Sequence, residues 1–418
     1  MSSRHEPSAR ALGIGIRAAL LIGASLCELA LLHWIDVAIG TRWLDPTKSS
    51  VGLVGLAVGN AIWAASTLPR KGKTPSLMVG RAFLAKTIAS VACGGCLVLT
   101  WAAAAVLHTA AGASSAALDS IALWGAETGG VATGGAAIGV TAACLLYAVT
   151  IGQRRVSIES VELSVPGWPA ALAEMTIAHI SDLHIGANVP PAALAALLER
   201  VQRLSADLIV ITGDIFDYDP AYIEEGCREL AKLSAPCGVY AILGNHDVYT
   251  GADRVAHGIA QLTSIRVLRD ASTAIEVGGV ELHLIGIEDS GRELSARDIE
   301  SEALTGLSAK LPRGAASIVL VHRPNLLRQL ARLRLPVALA GHTHGGQITA
   351  PWPLAHVNVA RLTAEWTRGR FVAGDTQLYV NRGLGVGGIP IRFNCPREIA
   401  VVRIRPGEIE RTGARAVR

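Results

Sequence analysis

The stretch PVALAGHTHGGQ, residues 336–347, joins a short apolar run to two histidines that stand one residue apart among three glycines. In an extended chain successive side chains alternate between two faces, so His342 and His344 lie on the same face. Imidazole is a common metal ligand, but glycines around such a pair are equally typical of a simple tight turn. The stretch alone fits a metal site and a polar strand end equally well, so the rest of the chain has to decide.

Four other short apolar runs in the second half of the chain also end in polar residues. They are MTIAHI, DLIVIT, GVYAIL and ASIVLV, and amphipathic stretches such as PAALAALLERVQRL separate the first three. This alternation is typical of an α/β domain, in which functional groups gather at the carboxyl ends of strands. We therefore expect one crevice to collect the following side chains: Asp182, His184, Asp214, Asn245, His246, Asp247, His322, His342 and His344.

The ligand types in this set indicate a particular class of metal. Carboxylate oxygen, amide oxygen and imidazole nitrogen together suit divalent first-row metals such as Mn, Fe or Zn. Two adjacent cations need an anionic oxygen between them, and Asp214 in GDIFD is the best candidate. The second acid of that motif, Asp217, is expected to fix its loop or to orient an imidazole rather than to bind metal.

The ordered motifs D-x-H, G-D-x-x-D, G-N-H-D, a strand-end His and G-H-x-H resemble those of the calcineurin-like metallophosphoesterase superfamily. The resemblance covers about residues 156–404, and the segment LYVNRGLGVGGIPIRFNCPREIAVVRI is similar to the membrane-associated bacterial branch. It implies a four-layer α/β/β/α sandwich that carries two divalent metal ions and a bridging hydroxide.

The resemblance also implies a role for each candidate side chain. His246 would give a proton to the leaving oxygen of a phosphoester, and Asp247 would orient its ring. Asp214 would bridge two ions held by two groups of ligands: Asp182, His184 and His344 for one ion, and Asn245, His322 and His342 for the other.

Other polar residues are weaker candidates. His179 lies inside an apolar run and is expected in the core. Arginine matches phosphate in a bidentate fork, so a few charged and polar residues could line a substrate groove, although they could equally make ordinary ion pairs. These residues are Glu288, Asp289, Asn381, Arg382 and Arg392.

Most of the apolar excess lies in the first 152 residues, in segments 11–35, 51–68, 82–107 and 131–151. Each is close to the roughly 20 residues that cross a bilayer. A cleaved signal peptide has a single apolar core, whereas here the apolar character returns. We therefore expect an all-α transmembrane region of about four helices at 1–152 and a phosphoesterase domain at 153–418.

Charge and cysteine content bear on the location of that domain. Basic residues precede the first segment, fill the joint before the third and follow the fourth, so the positive-inside rule places both termini and the catalytic domain in the cytoplasm. The seven cysteines form no evident disulfide framework, which agrees with a reducing compartment. No basic stripe interleaved with aromatics accompanies the net charge of +4, so nucleic acid is not an expected partner.

The sequence therefore predicts a multi-pass cell-membrane protein that hydrolyses a phosphodiester or pyrophosphate bond. The expected substrate is membrane-associated, such as a lipid or a lipid-linked nucleotide sugar. Two alternatives stay open: a membrane sensor or transporter with a regulatory phosphoesterase domain, suggested by Glu28 within an apolar segment, and a metal-dependent scaffold without turnover. The oligomeric state is left open.

Overall fold

The computed structural model describes residues 27, 32, 128–291, 300–351, 357–362, 364–410 and 415–416. The chain divides into two compact units, Met1–Tyr147 and Ala148–Arg418. Apart from two isolated positions, the predicted segments 11–35, 51–68 and 82–107 lie outside the described residues. The fourth, 131–151, coincides with helix α1 (Thr128–Thr150) except for its last residue. Within the described part of the chain, no helix combines the length and the apolar character that crossing a bilayer requires.

The second unit contains thirteen strands in the described ranges. In chain order they are β1 (Val156–Val165), β2 (Thr176–Ile180), β3 (Leu208–Thr212), β4 (Val239–Ile242), β5 (Arg266–Val267), β6 (Ala271–Val277), β7 (Val280–Gly286), β8 (Ala316–Leu320), β9 (Val337–Ala340), β10 (Gly369–Ala373), β11 (Thr376–Val380), β12 (Arg397–Pro406) and β13 (Arg415–Ala416).

The strands form two mixed sheets. Sheet 1 has the order β1-β12-β2-β3-β4-β5, and sheet 2 has the order β13-β10-β11-β9-β8-β7-β6. Strands β2 to β5 run parallel, whereas β12 is antiparallel to β2 and parallel to β1. In sheet 2, β7, β8, β9 and β11 are parallel. The carboxyl ends of the parallel strands therefore share one edge in each sheet.

Successive side chains of a central strand pack on opposite faces of its sheet, one against the other sheet and the next against the helices. Leu208 and Val210 on β3 belong to a core cluster that also contains Leu284 and Ile318 of sheet 2. The intervening Ile209 packs on the opposite face with residues of the helices. Period-two alternation of an all-apolar strand explains this double burial. Each such leucine or isoleucine stabilises the fold by about 1.5–3 kcal/mol.

Helices cover the outer face of each sheet. On sheet 1 they are α2 (Pro191–Gln202), α3 (Ile223–Leu230) and α4 (Asn245–Leu262); beside sheet 2 they are α5 (Glu302–Ser308) and α6 (Leu327–Arg332). Helix α2 starts with Pro191 in its first turn and buries an apolar stripe at helical spacing, Leu194, Leu197, Leu198 and Val201. The predicted α/β class with four α/β/β/α layers is confirmed for this unit.

Candidate metal centre

The candidate ligands all follow carboxyl ends of central strands. Sheet 1 supplies residues after β2, β3 and β4, and sheet 2 supplies residues after β8 and β9. Nearly all are buried, so they face each other rather than bulk water. In order along the chain they are Asp182, His184, Asp214, Asn245, His322, His342 and His344.

Three of these side chains form one tight group, Asp182, His184 and His344, whose ligand atoms all lie within 4.8 Å of one another. His184 Nε2 lies 2.9 Å from His344 Nε2, and the two rings stack with centroids 4.8 Å apart. His344 Nε2 lies 3.5 Å from Asp182 Oδ1. Two imidazole nitrogens and a carboxylate oxygen therefore face one point.

A second group contains Asp214, His322 and His342. His322 Nε2 lies 3.2 Å from Asp214 Oδ2, 3.2 Å from Asn245 Oδ1 and 3.1 Å from His342 Nδ1. Three polar atoms thus converge on a single ring nitrogen, more than the one hydrogen bond that such a nitrogen can make.

The tautomer of His322 shows what this second group can bind. Its Nδ1 lies 2.8 Å from the carbonyl oxygen of Thr212, which can only accept, so Nδ1 carries the proton. Nε2 faces the carboxylate of Asp214, which only accepts, so the pair needs either a proton on Nε2 or a cation between the two atoms. A cation satisfies facing acceptors of this kind, so the residues fit a metal ion.

The electrostatics of the buried acids lead to the same conclusion. Burial by itself lowers the pKa of His322, but the carboxylates of Asp214 and Asp182 outweigh that effect and raise the pKa to about 10. Burial would raise the pKa of Asp214, yet the neighbouring imidazoles of His322, His246 and His184 hold it well below its usual range. Positive charge is therefore favoured between these side chains, and divalent ions supply more of it than protons do.

Backbone strain and glycine packing shape the centre further. Five of the seven candidate ligands have positive φ: Asp182, His184, Asp214, His342 and His344. Such conformations cost about 1–3 kcal/mol each in non-glycine residues and concentrate at functional sites. Gly387 lies so close to two ligands that a Cβ atom there would sit 2.8 Å from His344 Nε2 and 3.2 Å from His184 Nε2. The space between the imidazoles is therefore kept free of side-chain carbon.

Comparison with known proteins now decides the family. The model of the calcineurin-like phosphoesterase family matches residues 175–346. An uncharacterized metallophosphoesterase of Aquifex aeolicus is 30% identical over 236 residues, which are 56% of this chain and 85% of that protein. The chain belongs to the calcineurin-like phosphoesterases.

Two further relatives carry more specific names. The UDP-2,3-diacylglucosamine pyrophosphatase LpxG of Chlamydia muridarum is 29% identical over 297 residues, 59% of this chain and 89% of that protein. A transmembrane protein with metallophosphoesterase domain from Danio rerio is 27% identical over 277 residues, 64% of this chain and 61% of that protein. The superfamily predicted from the motifs is confirmed, and with it a phosphoester hydrolase that works with two divalent metal ions.

The phosphoesterase places its predicted proton donor, His246, at the entrance of the centre. The His246 side chain is 16% exposed, and its Nδ1 lies 2.9 Å from Asp217 Oδ1. Its backbone N–H donates to Asp214 Oδ1 over 2.8 Å. Asp217 Oδ1 also lies 3.6 Å from Nδ1 of His184. One carboxylate therefore contacts both the predicted proton donor and a candidate ligand.

The expectation that Asp247 orients the His246 ring is wrong. The Asp247 carboxylate accepts from the backbone N–H groups of Ile215, Phe216 and Gly244 at 2.8–3.1 Å. Asp247 is the third residue of helix α4, where a side chain bends back to cap the helix N-terminus. The ring is held by Asp217, whose pKa burial would raise but hydrogen bonds from His184 and His246 lower.

The weaker groove candidates make ion pairs or structural hydrogen bonds instead. Arg382 pairs with Glu398 and Glu159, Asp289 pairs with Arg323, and Glu288 pairs with Arg269. Asn381 is buried and donates to the carbonyl of His179, itself a core residue as predicted.

Arg392 has a structural function that the sequence did not indicate. It is buried and donates to the carbonyl oxygens of Arg382, Gly383 and Gly385 over 2.8–3.2 Å. One of its nitrogens also lies 3.4 Å from His344 Nδ1. Arg392 therefore holds the glycine-rich segment 383–388 against the His344 side of the centre.

Proposed function

We propose that the chain cleaves a phosphodiester or pyrophosphate bond in a membrane-associated substrate, through two metal ions held by the two groups of ligands. Asp182, His184 and His344 would bind one ion, and the second group the other: His322, His342 and Asn245. When bound, two such ions lower the pKa of water and neutralise the charge on the phosphate oxygens.

The observation that carries the proposal is the position of one oxygen atom. Asp214 Oδ2 lies 3.7 Å from His184 Nε2 and 3.2 Å from His322 Nε2, so it stands between the imidazoles of both groups. A bridging carboxylate needs this location. His246 lies next to this carboxylate, since its backbone N–H donates to the other oxygen of Asp214.

His246 has the geometry of a general acid. Because Asp217 accepts from Nδ1, the Nε2 atom is left to face the substrate. A protonated His246 can then give the Nε2 proton to the departing oxygen, a step that contributes about 10²–10⁴-fold in rate. Asp217 fixes the orientation of the ring through this contact.

A membrane-associated substrate is supported by the relatives and by the predicted apolar segments. LpxG is named for a diacylated nucleotide sugar, and the Danio rerio relative is named a transmembrane protein. Both are phosphoesterase relatives of this chain, and the four apolar segments would hold its catalytic unit at a bilayer. We infer a multi-pass membrane protein with that unit on the cytoplasmic side.

The decisive experiment uses the full chain, stripped of metal by a chelator and reloaded with Mn or Zn. Bis-p-nitrophenyl phosphate and p-nitrophenyl phosphate serve as the diester and monoester probes. We expect metal-restored cleavage that favours the diester and falls sharply in His246→Ala. The control is His257→Ala, an exposed histidine on the same helix. Two bound ions per chain with no turnover of either ester would contradict the proposal and favour the scaffold alternative.

A further inference from the structure

Two large aromatic side chains are exposed beside the proton donor. Tyr218 is 49% exposed and Tyr249 is 43% exposed. Their rings are parallel within 5°, with centroids 5.9 Å apart. Single exposed aromatics are common on protein surfaces, but a parallel pair at an active site offers exposed ring faces on which a planar ligand can stack.

The pair adjoins His246 directly. The Tyr218 ring centroid lies 4.5 Å from that of His246, and the Tyr249 centroid lies 5.8 Å away. Tyr218 follows Asp217 in the loop after β3, whereas Tyr249 stands in the first turns of α4. Two separate elements thus bring aromatic rings to the side of the centre from which the leaving group departs.

The fold holds both rings in place. Tyr218 has a φ of 53°, a left-handed conformation that is costly for a bulky residue and that persists only where its surroundings impose it. Tyr249 Oη donates to the carbonyl oxygen of Gly291 over 3.1 Å. A surface whose rings are already ordered loses little entropy when a ligand stacks on it.

We propose that Tyr218 and Tyr249 form a stacking platform for a planar nucleobase, so that the substrate is a nucleoside-containing phosphodiester or pyrophosphate. This inference rests on the proposed function and specifies its substrate class. Tyrosine faces stack any base, and each stacked base contributes about 1–3 kcal/mol.

The immediate surroundings favour a base over an acyl chain. Tyr218 is flanked in sequence by two acids: Asp217, whose carboxylate contacts His246, and the exposed Asp219, which caps the next turn. Carboxylates accept hydrogen bonds from the N–H groups of a base, whereas they disfavour both an acyl chain and an anionic membrane surface.

The test compares two inhibitors of bis-p-nitrophenyl phosphate hydrolysis by the full-length Mn-loaded protein. UMP and ribose 5-phosphate share the sugar and the phosphate, and only UMP has a base. We expect UMP to inhibit about tenfold more strongly, since 1.4 kcal/mol corresponds to a factor of ten. Tyr218→Leu and Tyr249→Leu should bring the ratio close to one, whereas Tyr218→Phe and Tyr249→Phe, which keep the ring, should preserve it.

Two results would overturn the inference: equal inhibition by UMP and ribose 5-phosphate, or a preference for UMP that survives both leucine substitutions. Stronger and ring-dependent inhibition by dodecyl phosphate would assign the platform to a lipid chain instead. Metal content and thermal unfolding of each variant establish that it folds. If the wild type hydrolyses no ester, calorimetric titration with the same two ligands still measures base selectivity, so the failure of one proposal is distinguishable from the failure of the other.

Discussion

Sheet 1 and sheet 2 deliver different atoms to the crevice at their strand ends. Sheet 1 contributes both carboxylates, the amide and one imidazole: Asp182, Asp214, Asn245 and His184. Sheet 2 contributes imidazoles only: His322, His342 and His344. Each of the two ligand groups draws on both sheets. The metal centre therefore depends on the central core that joins the sheets, since neither of these two groups is complete on one sheet. A third cluster that could hold a cation, His184, Asp217 and His246, lies entirely on sheet 1.

The largest effect is expected at Asp214, the sheet 1 carboxylate that lies between the imidazoles of both groups. In Asp214→Asn we expect neither ion to bind tightly and activity to fall by more than about 10⁴-fold, beyond the range of acid catalysis alone. Metal per chain and diester turnover measure this, with the exposed Asp219→Asn in the same loop as control. Two ions retained in Asp214→Asn would show that this carboxylate does not bridge them.

His246 tests whether sheet 1 supplies a proton donor in addition to ligands. We expect His246→Ala to lower kcat by about 10²–10⁴-fold while both ions stay bound, because the side chain belongs neither to the group of Asp182 nor to that of Asp214, although it clusters with His184 and Asp217. Metal analysis beside steady-state kinetics separates the two effects. A loss of metal in this variant would make His246 a ligand instead.

Asp217 tests the contribution of sheet 1 separately, since both imidazoles that it contacts, those of His184 and His246, come from that sheet. We expect Asp217→Asn to reduce kcat by about 10–100-fold, the usual cost of losing an orienting partner.

Asp247→Asn should lower the free energy of unfolding, because the Asp247 carboxylate accepts from three backbone N–H groups. Turnover and urea unfolding are measured for both variants. A large loss of kcat in Asp247→Asn, with a loss of stability alone in Asp217→Asn, would contradict this assignment.

Arg392 offers a way to weaken only the group that contains His344. Lysine keeps the charge but cannot reach all the carbonyl oxygens that the guanidinium bonds. In Arg392→Lys we expect one ion to bind about tenfold more weakly and the other to bind normally. Metal titration should then resolve two unequal sites, and equal weakening of both would contradict this local role.

The smallest expected effect is on the pH dependence of the free energy of unfolding, through His179 in the core of sheet 1. Burial lowers the pKa of His179 from 6.5 to about 3, so folding favours the neutral ring. Its contribution to stability is complete above pH 6.5 and is lost as the pH falls from there toward 3, at about 1.4 kcal/mol per unit. Between pH 7 and 5 the free energy of unfolding should fall less in His179→Gln than in the wild type. Identical losses in urea titrations would refute this.

The sequence predicted which side chains meet in the crevice, because strand-end placement follows from the chain order of the parallel strands. Apolar runs such as those ending at Ile180 and Ala340 fix where a strand stops, and parallel strands then bring the following residues together. Asp217 was expected to fix its loop or to orient an imidazole, but the position of the Asp247 carboxylate could not be predicted in this way. It depends on the direction of one side chain at a helix start, although an acid at the third helical position is itself a capping signal.

Arg392 and Tyr218 were beyond sequence reasoning for a different reason. An arginine in a loop suggests a surface charge, and only the packed segment 383–388 shows a cluster of carbonyl oxygens that requires a buried donor. Tyr218 takes its position from a left-handed backbone that no local pattern encodes. Both cases involve tertiary contacts that override local preference.

The location of β12 between β1 and β2 has a consequence for synthesis on the ribosome. Val156 pairs with Arg397, so sheet 1 cannot close until the last of its strands has been made, on the order of tens of seconds after the first. Until then β2 lacks a neighbour on one side, and its exposed edge invites pairing with other nascent chains. A chaperone that shields this edge during translation would raise the yield of active enzyme without touching the active site.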